Sequence, residues 1–173
     1  MRADPGANRA RLDDENEGNG MVEKVFKEVG DVVGQYSGLA RKVLDYSLTM
    51  KRLVDQAKQP GFSVESWAPL AALVAVDEFE RVGNFKEVMT WPQYVEFLTK
   101  WAQGSDWEGS FKRVTEHDNV VFLELEERSR VGEHTSVVNS VSVYEFNAAG
   151  KLRHLDIYLQ MEPFGPEMMQ AYS

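Results

Sequence analysis

The chain has 173 residues, 43% of them hydrophobic and 11% aromatic, with a net charge of −9 and a pI near 4.9. That length and composition suit one domain with a sizeable core. The acidic balance offers no basic stripe for nucleic acid or an anionic membrane, and the absence of cysteine excludes disulfides, thiolate nucleophiles and cysteine–zinc sites.

Residues 1–20, MRADPGANRARLDDENEGNG, lack the apolar run of a signal peptide and read as a loose arm. No segment approaches the roughly 20 apolar residues of a membrane span, so a cytoplasmic protein is expected. From Met21 onward, Val22, Val25, Phe26, Val29, Val32, Val33, Tyr36, Ala40, Val43 and Leu44 follow helical spacing. Gly30, Gly34 and Gly38 weaken that helix by about 1 kcal/mol each relative to Ala. A break near Gly34–Gly38 is predicted, giving one helix over 21–36 and a second over 38–58. QPGF at 59–62 stops the second helix.

Ser63 then predicts the start of a helix reaching Val76, with Trp67, Leu70, Leu73 and Val74 on one side. Asp77–Phe85 alternates Phe79 and Arg81 against Glu80 and Val82 and reads as a strand. Thr90 caps another helix, with Pro92 in its first turn and Trp91, Tyr94, Val95, Leu98 and Trp101 on its apolar stripe. AQGSD ends it. Ser110–Thr115 is a predicted strand, and His117–Asn119 a turn. Three β-branched and aromatic runs follow between Val120 and Gln160, broken at VGEHT and NAAGK. The expected class is α+β, a curved mixed or antiparallel sheet around N-terminal helices. The expected organisation is an arm at 1–20, an extra helix at 21–37, the domain at 38–162 and a tail at 163–173.

The strings SWAPLAALVAVDEFERVG and AAGKLRHLDIYLQ, and the order of elements over about residues 40–160, resemble the nuclear transport factor 2-like superfamily. Ketosteroid isomerases, SnoaL-like polyketide cyclases, limonene epoxide hydrolases and scytalone dehydratases share that fold. The resemblance implies a cone-shaped barrel with a deep apolar cavity, acid–base chemistry on a small hydrophobic molecule, and no metal or organic cofactor.

It also assigns positions. Leu155, Ile157 and Leu159 face the cavity; His154, Asp156, Tyr158 and Gln160 face away. Ile157 stands where the cyclase and epoxide hydrolase branches keep a carboxylate. A one-residue register shift would bring in Asp156 instead; otherwise Asp156 is a surface carboxylate beside Arg153 or His154. Ser142 stands where the isomerases keep an oxyanion-stabilising acid, and shares a face with Ser140 and Tyr144. Arg81 falls close to their general base and cannot serve as one. Glu127, following Val121, Leu123 and Leu125 on one face, matches an acidic position of the epoxide hydrolases and could pair with Arg81; otherwise it is an exposed charge. Tyr46 resembles in position a helix tyrosine that donates to a substrate carbonyl, or is simply packed. Trp67, Trp91, Trp101 and Trp107 are expected in the core and on the cavity wall, and Trp67, Arg81, Leu125, Ser142, Tyr144, Leu155 and Ile157 are expected to line the pocket. His117, His134 and His154 lack metal-ligand spacing, so no metal site is expected.

The resemblance, together with the apolar wall, thus implies a protein binding a small hydrophobic molecule, either a cofactor-independent isomerase, cyclase, dehydratase or hydrolase, or a relative that only binds. The rival is a non-catalytic module forming a homodimer through the outer sheet face, where Phe122, Val137, Val141 and Val143 lie.

Overall fold

A computed structural model describes residues 26–162. In chain order these form α1 (Val29–Val32), α2 (Gly38–Gln56), α3 (Ala68–Ala71), β1 (Glu80–Val82), β2 (Val88–Thr90), α4 (Trp91–Gly104), β3 (Ser105–His117), β4 (Val120–Val131), β5 (His134–Phe146) and β6 (Leu152–Gln160). The strands make one six-stranded sheet in the order β2-β1-β6-β5-β4-β3. Only β1 and β6 run parallel; the other neighbours are antiparallel. The edge strands β2 and β3 do not pair with each other, so the curved sheet stays open.

Helix α2 forms because its apolar residues recur every three or four positions. Ala40, Val43, Leu44, Met50, Leu53 and Val54 are all buried. They meet the inward sheet face, where Val121, Leu123, Leu152 and Leu155 are almost fully enclosed. Burying each such side chain contributes roughly 1.5–3 kcal/mol. The opposite face of α2 carries the ion pairs Arg41–Asp45 at 3.0 Å and Lys51–Asp55 at 2.6 Å. Pairs of that kind, exposed on a helix, contribute only about 0.3–0.5 kcal/mol.

The chain does break before α2. Within the described residues the helix expected over 21–36 is α1 continued by a 3₁₀ turn, Val33–Gln35. Tyr36 and Ser37 are not helical, and Gly38 takes φ = 65°, which a side chain would strain. Ser37 supplies no side-chain cap. The cap comes instead from β3: the Glu116 carboxylate accepts the Ala40 backbone N–H at 2.8 Å. Its negative charge also suits the positive end of the helix. Glu116→Ala is expected to lower stability by about 1 kcal/mol, and Glu116→Gln by less, since the amide oxygen still accepts. Urea midpoints of the two variants check this; equal midpoints would remove Glu116 as the cap.

Three other expectations change. The helix over Val64–Val76 is a 3₁₀ turn, Val64–Trp67, and the single α-helical turn α3. Pro69 has no N–H to donate, and the backbone beyond it is taken by β6. Ala75 N–H donates to the Leu152 carbonyl at 2.8 Å, and Leu152 N–H to the Leu73 carbonyl at 3.0 Å. The strand over Asp77–Phe85 shrinks to β1, because the chain turns tightly at Gly83, whose N–H donates to the Glu87 carbonyl at 2.8 Å. That turn returns as β2, which was not foreseen. The strand expected at Ser110–Thr115 begins at Ser105, where α4 runs directly into β3.

The arm at 1–20 and the tail at 163–173 lie outside the described residues. Of the extra helix at 21–37, the described part packs onto the domain: Val29 and Val32 are buried, and Phe111 N–H of β3 donates to the Lys27 carbonyl at 2.7 Å. No helix among the described residues is long and apolar enough to cross a membrane.

Candidate functional site

Between α2, α4 and the inward sheet face lies a cavity of about 250 Å³. Volume of that size corresponds to roughly eight waters. Its apolar wall comes from Met50 of α2, Phe97, Leu98 and Trp101 of α4, and Trp107, Leu125, Leu155, Ile157 and Leu159 of the sheet. Its polar groups are Tyr46, Ser47, Arg81, Tyr94, Glu127, Ser142 and Tyr144. Strand parity explains the grouping. Opposed residues of antiparallel strands share a face, and Leu125↔Ser140, Leu123↔Ser142, Ser142↔Ile157 and Tyr144↔Leu155 are opposed pairs.

Glu127 is the one carboxylate among the described lining residues. It sits two residues beyond Leu125 on the inward face of β4, and Trp107 of the neighbouring β3 donates its Nε1–H to Glu127 Oε2 at 2.8 Å. That bond engages one of the two carboxylate oxygens and leaves acceptor capacity on the group. The pairing of Glu127 with Arg81 does not form. Two strands, β6 and β5, separate β1 from β4, and Arg81 pairs elsewhere.

Arg81 is 7% exposed on β1. Its Nη1 donates to Glu87 Oε1 at 3.0 Å, and the guanidinium lies 5.3 Å from the Tyr94 ring centre and 5.5 Å from that of Phe97. Glu87 reaches back over Gly83, where an added Cβ would stand 1.6 Å from Oε1, and it also accepts the Phe85 N–H at 3.0 Å. Burial alone would raise the Glu87 carboxyl. Hydrogen bonds from Arg81 and the local backbone outweigh that and hold it below the usual glutamate range.

The three phenols of the wall are pushed the other way. Burial raises Tyr46, Tyr94 and Tyr144 above the ordinary tyrosine value, well above it for Tyr46 and Tyr144. Neighbouring phenols add to the shift at Tyr46 and Tyr144, and Arg81 partly offsets it at Tyr94. All three therefore stay neutral near pH 7 and keep an O–H to donate. Tyr46 and Tyr144 meet edge to face at 5.6 Å. The buried Tyr46 hydroxyl has the Tyr94 hydroxyl as a neighbour but no well-formed hydrogen bond. Tyr46 and Tyr144 also wall a smaller cavity of about 120 Å³, beside Lys42, Leu73 and Gly150.

Of the residues singled out from sequence, the structure brings Tyr46, Arg81, Leu125, Glu127, Ser142, Tyr144, Leu155 and Ile157 together on this wall. Asp156 is not among them. It lies on the opposite face of β6, where its Oδ1 is 3.0 Å from His154 Nε2, because no register shift displaces β6 at this point. Trp67 is corrected as well: it is a core residue, 1% exposed, packed against Phe62 and donating Nε1–H to Thr99 Oγ1 at 2.9 Å. The turn that replaces the expected long helix carries it into the core.

Sequence reasoning missed Tyr94 and Phe97 as site residues and Glu87 as the partner of Arg81. One signal was present. An arginine at an inward strand position needs an anion nearby, and Glu87 is the first acidic residue C-terminal to it, beyond the turn at Gly83. Among the described residues no group of three His, Cys, Asp or Glu side chains could hold a metal.

No protein-family model matches the sequence, and no curated protein matches it significantly. Solved structures do match its shape. A candidate SnoaL-like polyketide cyclase from Jannaschia sp. CCS1 is 14% identical, aligns over 72% of this chain and 90% of its own, and gives a TM-score of 0.53. An NTF2-like protein from Anabaena variabilis ATCC 29413, also 14% identical, aligns over 75% of this chain and 97% of its own with a TM-score of 0.52. At such identities the likeness speaks for architecture alone: the chain has an α+β fold of the nuclear transport factor 2-like type, with a curved sheet that is not closed.

Proposed function

We propose that the cavity binds a small, largely apolar molecule bearing a carbonyl-type oxygen, and that Glu127 moves a proton on it without a cofactor. The reading is carried by one observation: Glu127, the one carboxylate among the described lining residues, is held by Trp107 on a wall that also presents neutral phenols and Arg81. A carboxylate with a free oxygen is a general base. Neutral phenols and Ser142 are donors for the oxygen on which charge collects when a neighbouring carbon loses its proton. Isomerisation, cyclisation, dehydration and hydrolysis can each turn on such a transfer. The cavity is near the lower end of the roughly 300–1,000 Å³ of drug-sized sites, so the ligand is small.

Acetophenone is a suitable probe, since Trp101 and Trp107 report from the wall. Saturable quenching of tryptophan fluorescence is expected, and native mass spectrometry should show a one-to-one complex. Quenching no different from that of free tryptophan would overturn the reading.

A homodimer through the outer sheet face is the second reading. Phe122 and Tyr158 are 40% and 58% exposed there. Ion pairs flank them, including Arg113–Glu124 and Arg153–Glu145. Light scattering decides it: a monomer at micromolar concentration would sink this reading and leave the first untouched.

A further inference from the structure

We propose that Arg81 makes this cavity selective for small carboxylic acids; the inference rests on reading the cavity as a ligand site and names the ligand's class. A guanidinium carries five N–H donors in a rigid fork. Arg81 commits Nη1 to Glu87 Oε1, with the Met89 sulfur a marginal contact at 4.0 Å, and its buried Nε–H has no partner. Arg81 is more than nine-tenths buried and lines the cavity. A buried cation with an unmet donor is costly unless an oxygen completes it, and an anion does so best.

The surroundings favour a carboxylate over a neutral oxygen. Tyr94 and Phe97 lie against the guanidinium and restrict how it can turn, which pre-sets the fork for a planar, bidentate partner. Glu87 does not fill the place. It approaches from the rim, where its side chain is 37% exposed, and divides itself between Arg81 and the Phe85 N–H. Glu127 is turned to Trp107 and forms no ion pair with Arg81. The cation and the base therefore stand on separate strands of one wall, β1 and β4. A molecule whose carboxylate meets Arg81 has its apolar body along Leu155 and Ile157 and its far end free to reach Glu127.

Benzoate and benzamide share shape and differ in charge, so their dissociation constants, read by tryptophan fluorescence, test the idea. The wild-type chain is expected to bind benzoate at least about tenfold more tightly than benzamide, as a charge-assisted fork requires. Arg81→Met is expected to erase that preference, weakening benzoate far more than benzamide. Glu87→Gln, which retains Arg81 and removes the competing negative charge, is expected to tighten benzoate several-fold and leave benzamide nearly unchanged; this variant keeps the test sharp if Arg81→Met folds poorly. Equal binding of the two probes by the wild type, a preference that survives Arg81→Met, or no response of benzoate to Glu87→Gln would each overturn the inference. Binding of acetophenone without benzoate would overturn it and leave the cavity reading standing, whereas failure of all three probes would remove both.

Discussion

Glu127→Gln is expected to lower turnover of whatever ketone or acid the cavity accepts by about 10²–10⁴-fold, the range that one positioned general base contributes. The size follows from Glu127 being the one carboxylate among the described lining residues. Asp156 cannot take over, since it faces the other side of β6 and is bound to His154. The amide keeps the shape of the acid, and its oxygen can still accept the Trp107 N–H, now 2.8 Å from Glu127 Oε2. Stability and ligand affinity should therefore change little, while the group that accepts the proton is gone. Proton exchange into solvent at the carbon next to the carbonyl, followed by nuclear magnetic resonance in heavy water, measures the step directly. Exchange that persists at the wild-type rate would show that Glu127 is not the base. Reduced affinity with unchanged exchange would make it a binding residue only.

The fold was legible because its signals are local and repeated. Alternation in Val120–Gln160 put Leu125, Glu127, Leu155 and Ile157 on one face, and Thr90 followed by Pro92 marked the start of α4. Where the reading fell short, a distant partner decided the matter. Trp67 looked like one member of a long amphipathic helix, but the backbone after Pro69 pairs with β6, almost eighty residues on, and the helix ends early. The N-terminal cap of α2 is equally remote, supplied by Glu116 and not by the adjacent Ser37. Arg81 lines the cavity, but its partner is Glu87 and not Glu127, the pairing that the sequence left open. Parity says which face a residue takes; it does not say how far apart two strands stand in the sheet. A three-residue strand such as β2 is too short for alternation to identify it.

Alkaline unfolding gives the second large effect. Tyr46, Tyr94 and Tyr144 are neutral and buried, and each has its pKa raised in the folded chain. An unfolded tyrosine ionises near pH 10. A group whose folded pKa is raised holds its proton more tightly in the native state, so its contribution is whole below the unfolded value and is lost as pH climbs past it. Between the unfolded value and the raised folded ones, unfolding releases up to three protons from these residues. Each proton makes stability fall by about 1.4 kcal/mol per pH unit, so the three together give about 4 kcal/mol per unit. A steep loss of urea midpoint is thus expected just above pH 10, with little slope from these groups below pH 9. Three of the six tyrosines should also stay silent in the ultraviolet tyrosinate titration of the native chain and appear together on unfolding. Tyr144→Phe should reduce the slope by about one proton. Six tyrosines titrating freely in the folded protein would mean that the phenols are open to solvent, and a wall of neutral donors facing Glu127 would no longer be tenable.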